Sequence, residues 1–156
     1  MSYAPATALM RAITETNLGT ALQAEGRLDD AVAHYRRALE LQPDHAPALN
    51  NLGTALRAQG RVDDAIATYE QALELAADYP DAHYNLANAL LEKNDPDAAA
   101  GHFAIALKSI PDSAGTRNNL GIALMGQGKI AEAIQQFEGA LRLEPTLTLP
   151  STAGPD

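Results

Sequence analysis

The chain has 156 residues, 46% hydrophobic but only 4% aromatic, an Ala- and Leu-dominated mixture that favours closely packed helices over sheets. Its formal charge of −9 repels phosphate backbones, so nucleic acid and anionic membrane are poor partners. There is no cysteine, no basic start with an apolar run of signal length, and no stretch near the roughly 20 apolar residues of a membrane span, so the expectation is a soluble, cytoplasmic protein without thiol chemistry.

In chain order, residues 1–11 form an N-terminal extension in which Leu9 and Met10 lead into Ile13, so the first helix is expected to begin soon after Pro5 and to run long. From there the sequence repeats. Leu18, Leu52, Leu86 and Leu120 are 34 residues apart, and aligning on them gives units at 12–45, 46–79, 80–113 and 114–147. The first three units are net acidic and the fourth is neutral.

Positions within a unit are numbered here from its first residue. In the first unit Leu18 and Leu22 share one helical face, and Gly26 reads as a left-handed C-terminal cap. Asp29 and Asp30 sit at the start of a second helix, as helix caps. Ala31, Tyr35, Ala38 and Leu39 form its apolar stripe; Pro43 ends it, and Asp44 can cap the next helix. Each unit is therefore a helix–turn–helix.

The recurring choices are steric. Position 20 is Ala31, Ala65, Ala99 and Ala133, and position 27 is Ala38, Ala72, Ala106 and Ala140, which lets helices approach closely. Position 8 is Gly19, Gly53, Ala87 and Gly121, while position 24 is Tyr35, Tyr69, Phe103 and Phe137. Position 15 is Gly26, Gly60, Asn94 and Gly128, where Asn is the non-glycine residue that best tolerates positive φ.

A 34-residue helix pair with Leu-Gly at 7–8, Ala at 20 and 27, an aromatic at 24 and Pro at 32 resembles the tetratricopeptide repeat (TPR). The resemblance implies an all-α, right-handed superhelical solenoid whose first helices line a concave groove. The family's Trp at position 4 is replaced by Glu15, Leu49, His83 and Arg117. Ala77 replaces the proline of the second unit, which predicts a longer last helix there and a tilted third unit.

On the implied groove face, position 6 is Asn17, Asn51, Asn85 and Asn119. A primary amide both donates and accepts, so it can pair with either half of a peptide unit whatever side chain follows. Units on the order of 10 Å apart would meet an extended peptide about every third residue. The row is similar to the asparagine ladder in the repeat domain of O-linked N-acetylglucosamine transferases. Asn at this position is also common across the family, where it solvates the groove, and the sequence alone does not separate the two roles. Asn50, Asn88, Asn118, Tyr84 and Arg57 support the row. Leu91, Ile122 and Met125 make the later half of the groove more apolar. The Lys, Asn and Arg clamp by which relatives hold chaperone C-termini has no counterpart: Thr16, Thr20, Asn51, Asp81 and Asn85 occupy those places, so an anionic tail is disfavoured.

No catalytic, cofactor or metal site emerges. Gly126-Gln127-Gly128-Lys129 lacks the spacing of a phosphate loop and reads as a turn between helices. The four histidines do not pair at ligand spacing, since His34 and His102 are both at position 23 of units two apart. Asp95-Pro96 reads as a cap followed by Pro at the first helical position. The segment after Pro145 is too rich in Pro, Thr and Gly for a helix, and 148–156 is a flexible tail. The last unit has no polar cap, which leaves Ile134, Phe137 and Leu141 partly uncovered, so that the protein continues, the tail folds over this face, or the ends self-associate.

The expectation is a non-enzymatic, cofactor-free module binding a protein or peptide segment in the groove. The alternatives are the substrate-selecting arm of a larger glycosyltransferase-like enzyme and an assembly unit stacking through its ends.

Overall fold

The computed structural model describes residues 4–144; the tail lies outside them. Eight helices follow one another: α1 (Ala4–Ala24), α2 (Leu28–Leu41), α3 (Ala46–Ala58), α4 (Val62–Leu75), α5 (Pro80–Glu92), α6 (Pro96–Ser109), α7 (Ala114–Gly126) and α8 (Ile130–Leu143). Among the described residues there is no strand. Each odd helix packs on the even helix after it, and each even helix packs on the next odd one. Successive odd helices also touch, whereas no two even helices do. The stack therefore curves toward the odd helices, and their exposed faces line its concave side.

The turn inside every unit is the same. The backbone is left-handed at Gly26, Gly60 and Gly128 (φ 78°, 81° and 78°) and at Asn94 (φ 60°). The N–H groups of Arg27, Arg61, Asp95 and Lys129 then reach back to the carbonyls of Leu22, Leu56, Leu90 and Leu124 at 2.9–3.0 Å. These bonds close a Schellman motif that satisfies helix-end carbonyls otherwise left unpaired.

Four expectations need correction. First, α1 begins at Ala4, ahead of Pro5, because proline needs no N–H partner in a first turn. Second, α4 ends at Leu75, the same position at which α2 and α8 end, despite the missing proline. The Ala77 carbonyl accepts a hydrogen bond from His83 Nε2 at 2.7 Å, which ties this turn to α5 without a proline.

Third, the paired aspartates do not cap. The N-cap residues of α2 and α4 are Arg27 and Arg61, and Asp30 and Asp64 pair with those arginines at 2.8 Å, while Asp29 and Asp63 reach the next unit. Nor does Asp44 cap α3, whose N-cap is His45 with no side-chain bond. Carboxylate caps require the acid before the helix, and these acids lie inside or upstream of that point. Asp95 does cap α6, accepting from the Ala98 N–H at 3.2 Å with Pro96 behind it. Fourth, two of the histidines do meet, as described below.

The small positions are closed by their neighbours. Ala31, Ala65, Ala99 and Ala133 are buried between helices, as are Ala38, Ala72, Ala106 and Ala140. A Cβ added to Gly53 would sit 2.6 Å from the Tyr69 ring, and one added to Gly19 or Gly121 would come equally close to Tyr35 or Phe137. Glycine at position 8 is thus the socket for the aromatic of its own unit. The core falls into two main clusters, one centred on Tyr35, Leu52 and Tyr69 and one on Phe103, Leu120 and Leu124. Leu90 of α5 packs against both.

Candidate peptide-binding groove

The asparagine row runs along the concave face and is stitched from unit to unit. Asn51 Nδ2 donates to Thr20 Oγ1 at 3.4 Å, and Asn85 Nδ2 to Asn50 Oδ1 at 3.0 Å. Asn119 Nδ2 donates to Asn88 Oδ1 at 3.0 Å and to the Tyr84 hydroxyl at 3.2 Å. The position-6 amides of the last three units thus each spend a proton on the unit before. Asn17, in the first described unit, is exposed and makes no side-chain hydrogen bond among the described residues.

The supporting residues divide. Asn50 is only 6% exposed, so it braces Asn85 and does not face the groove. Arg57 is held by Glu92 of the next unit, with both Nε and Nη2 within 2.6 Å of one carboxylate oxygen. Asn118 is exposed and donates to Asn119 Oδ1 at 3.2 Å. Ile122 and Met125 are about half exposed and Leu91 is half-buried, so the later groove has an apolar floor.

Position 24 changes along with it. Tyr35 donates to Gln23 Oε1 at 2.9 Å. Tyr69 lies 3.0 Å from Thr54 Oγ1, whose proton goes to the Asn50 carbonyl, so the tyrosine is the donor. Burial pushes both phenols above their usual range, keeping them protonated as donors. In the last two units the aromatic is Phe, no hydroxyl needs a partner, and position 12 becomes Leu91 and Met125.

Models of the tetratricopeptide repeat match residues 10–78, 52–114 and 84–148. The chain belongs to the tetratricopeptide repeat family. A search of the curated proteins found no match. Among solved structures, the chain is similar to MamA, with 25% identity over 89% of this chain and 78% of that one and a TM-score of 0.78. It is also similar in fold to MamA from Desulfovibrio magneticus RS-1 (20% identity, 86% of this chain and 76% of that one, TM-score 0.80). PilF of Pseudomonas aeruginosa gives 24% identity over 87% of this chain and 62% of that one, with a TM-score of 0.81. These tetratricopeptide repeats form a right-handed superhelical solenoid, a protein-interaction scaffold in the general sense. No helix among the described residues is long and apolar enough to cross a membrane.

One family of tetratricopeptide contacts escapes a reading of the sequence. Position 4, where the family favours Trp, meets position 23 of the same unit, 19 residues on. Glu15 pairs with His34 at 2.6 Å, His83 Nδ1 with His102 Nδ1 at 3.0 Å, and Arg117 with Gln136 at 3.3 Å. The separation matches no ligand spacing along a single helix, so only the recurrence of polar residues at both positions could have signalled it. Because the Ala77 carbonyl only accepts, His83 carries its proton on Nε2, and His102 Nδ1–H donates to His83 Nδ1. The rings are stacked, with centroids 5.3 Å apart. Glu70 and Glu74 border the same cavity, yet no group of three metal-ligating side chains forms among the described residues.

Burial, reinforced by the neighbouring His83, lowers the His102 pKa below its ordinary value of 6.5. The unfolded chain then binds the proton more readily, so this contribution to stability is present above about pH 6.5 and fades as the pH falls toward the lower folded value. Thermal unfolding should show a midpoint that drops on acidification through this range, with a shallower drop for His102→Gln. Equal slopes for both proteins would count against the assignment.

Proposed function

We propose that the chain is a non-enzymatic interaction module holding an extended, largely uncharged peptide or protein segment along its concave face. The observation that supports this is the pre-organised amide row. Neighbouring units fix the orientation of Asn51 and Asn85, while among the described residues their Oδ1 atoms take no hydrogen bond. Each Oδ1 can therefore accept from a ligand N–H, and each remaining Nδ2 proton can donate to a ligand carbonyl. Fixing these amides before binding lowers the ordering cost of association. The later half of the groove, with Leu91, Ile122 and Met125, suits one apolar ligand side chain. Asp81, together with the pairing of Arg57 to Glu92, disfavours an anionic tail.

The test is capture of a ligand by the wild-type chain, mapping of the bound segment, and calorimetry against the Asn51→Ala, Asn85→Ala double variant. Two or three lost hydrogen bonds of about 0.5–1.5 kcal/mol each should weaken binding on the order of 10–100-fold. The helical signal should be retained. Unchanged affinity would sink the ladder.

The same row admits a second reading, taken from the sequence resemblance to the repeat domain of O-linked N-acetylglucosamine transferases. On that reading the groove selects substrate for a catalytic domain elsewhere. Turnover of a sugar nucleotide by this chain would overturn the non-enzymatic reading.

A further inference from the structure

The three junctions between units obey common rules; the outer faces of the first and last described units fit two of them toward each other and depart from the third together. The first rule concerns apolar cover. Leu52, Leu86 and Leu120 at position 7 are buried (7%, 1% and 7% exposed), whereas Leu18 is 44% exposed. On the opposite end, Ile134 and Leu141 are 50% and 49% exposed, although Val32 and Ala100 at the position of Ile134 are buried. A cavity of about 530 Å³ opens on α8 between Asn118, Phe137, Ala140 and Leu141. At the junction before it, the matching cavity beside Tyr84 and Ala106 is reduced to about 230 Å³ and bordered by Thr116 of the following unit. Thr14 holds the position of Thr116 in the first unit, and it is exposed.

The second rule concerns the amide row. Position 6 of each unit donates to position 5 or 9 of the unit before. Among the described residues Asn17 has no such acceptor, and the Oδ1 of Asn118, at position 5 of the fourth unit, takes no hydrogen bond.

The third rule concerns charge. Position 14 donates to an aspartate at position 18 of the preceding unit: Gln59 to Asp29 at 2.6 Å, Lys93 to Asp63 at 3.1 Å and Gln127 to Asp97 at 2.8 Å. In the first unit position 14 is Glu25, which would repel such an aspartate. In the last unit position 18 is Ala131, and Lys129 lies close by in sequence. The two departures fall at the two ends, and each suits the other.

We propose that copies of this chain stack head to tail, with α1 of one copy seated on α8 of the next in the register of the internal junctions. Leu18 enters between Ile134 and Leu141, Asn17 donates to Asn118 Oδ1, and Glu25 lies over Ala131. The neutral last unit receives an acidic first unit, so net charge does not oppose the contact. The two surfaces differ, so the contact is heterologous and does not close. The product is an open superhelical filament that continues the groove from one copy to the next.

Sedimentation velocity across a concentration series tests the proposal. The wild type should grow with concentration. Leu18→Glu and Leu141→Glu, both at exposed positions and both checked for helicity by circular dichroism, should each weaken association at least about tenfold. Their equimolar mixture should form a dimer and stop there, because each variant keeps one intact end. A wild type that stays monomeric at millimolar concentration overturns the proposal. So does growth that survives both substitutions, or a mixture that stays monomeric while the wild type assembles. Neither leucine is in the asparagine row, so ligand affinity in the groove is a separate readout.

Discussion

Tyr69→Ala is expected to lower the unfolding free energy by about 3–5 kcal/mol, the cost of emptying a buried aromatic site that cannot fully collapse. Tyr69 has no exposed surface, its ring fills the space left by Gly53, and it belongs to the larger core cluster. Tyr69→Phe should cost only about 0.5–1.5 kcal/mol, since it removes one hydrogen bond while Thr54 keeps its bond to the Asn50 carbonyl. Urea unfolding of the two variants separates the volume of the ring from its hydroxyl. A small loss for the alanine variant would mean that the ring is not the keystone of its unit.

Leu86→Ala should cost a comparable amount, about 2–5 kcal/mol, and should also change the shape of the transition. Leu86 is 1% exposed and packs in the cluster with Leu52 and Tyr69, while its neighbour Ala87 belongs to the cluster of Phe103 and Leu120. The residue therefore lies where the two halves of the stack are coupled. In a linear array, stability is approximately the sum of unit terms and nearest-neighbour terms. Weakening the central junction should split one unfolding transition into two, with the halves melting separately. Far-ultraviolet circular dichroism and differential calorimetry would reveal the split. A single sharp transition shifted bodily downward would argue that coupling runs through the helix backbones instead.

Much of the fold is legible in the sequence because it rests on local rules repeated four times. Positive φ at position 15 calls for Gly or Asn, in three units a glycine at position 8 makes room for the ring at position 24, and the period makes each choice visible again. The groove is only half legible. The register assigns Asn51, Asn85 and Asn119 to one face, but not that each amide bonds to the preceding unit, because that depends on the distance between helices 31–35 residues apart. Asn50 shows the limit, since a helical wheel places it with the exposed residues while the neighbouring unit buries it. The His83–His102 contact and the reach of Asp29 and Asp63 to the next unit were hidden for the same reason. Those aspartates read as caps from one helix alone.

The tyrosine hydroxyls that touch Thr54 and Gln23 have a consequence for how such a surface can diversify. In the first unit Tyr35 leans on Thr20 and Gln23, and in the second Tyr69 leans on Thr54, so a change of specificity at these residues takes a partner from a buried phenol and carries a folding penalty. In the last two, Phe103 and Phe137 ask nothing of the residues above them. Variation can accumulate in that half without cost to the core, and directed evolution of new binders would do best to randomise it first.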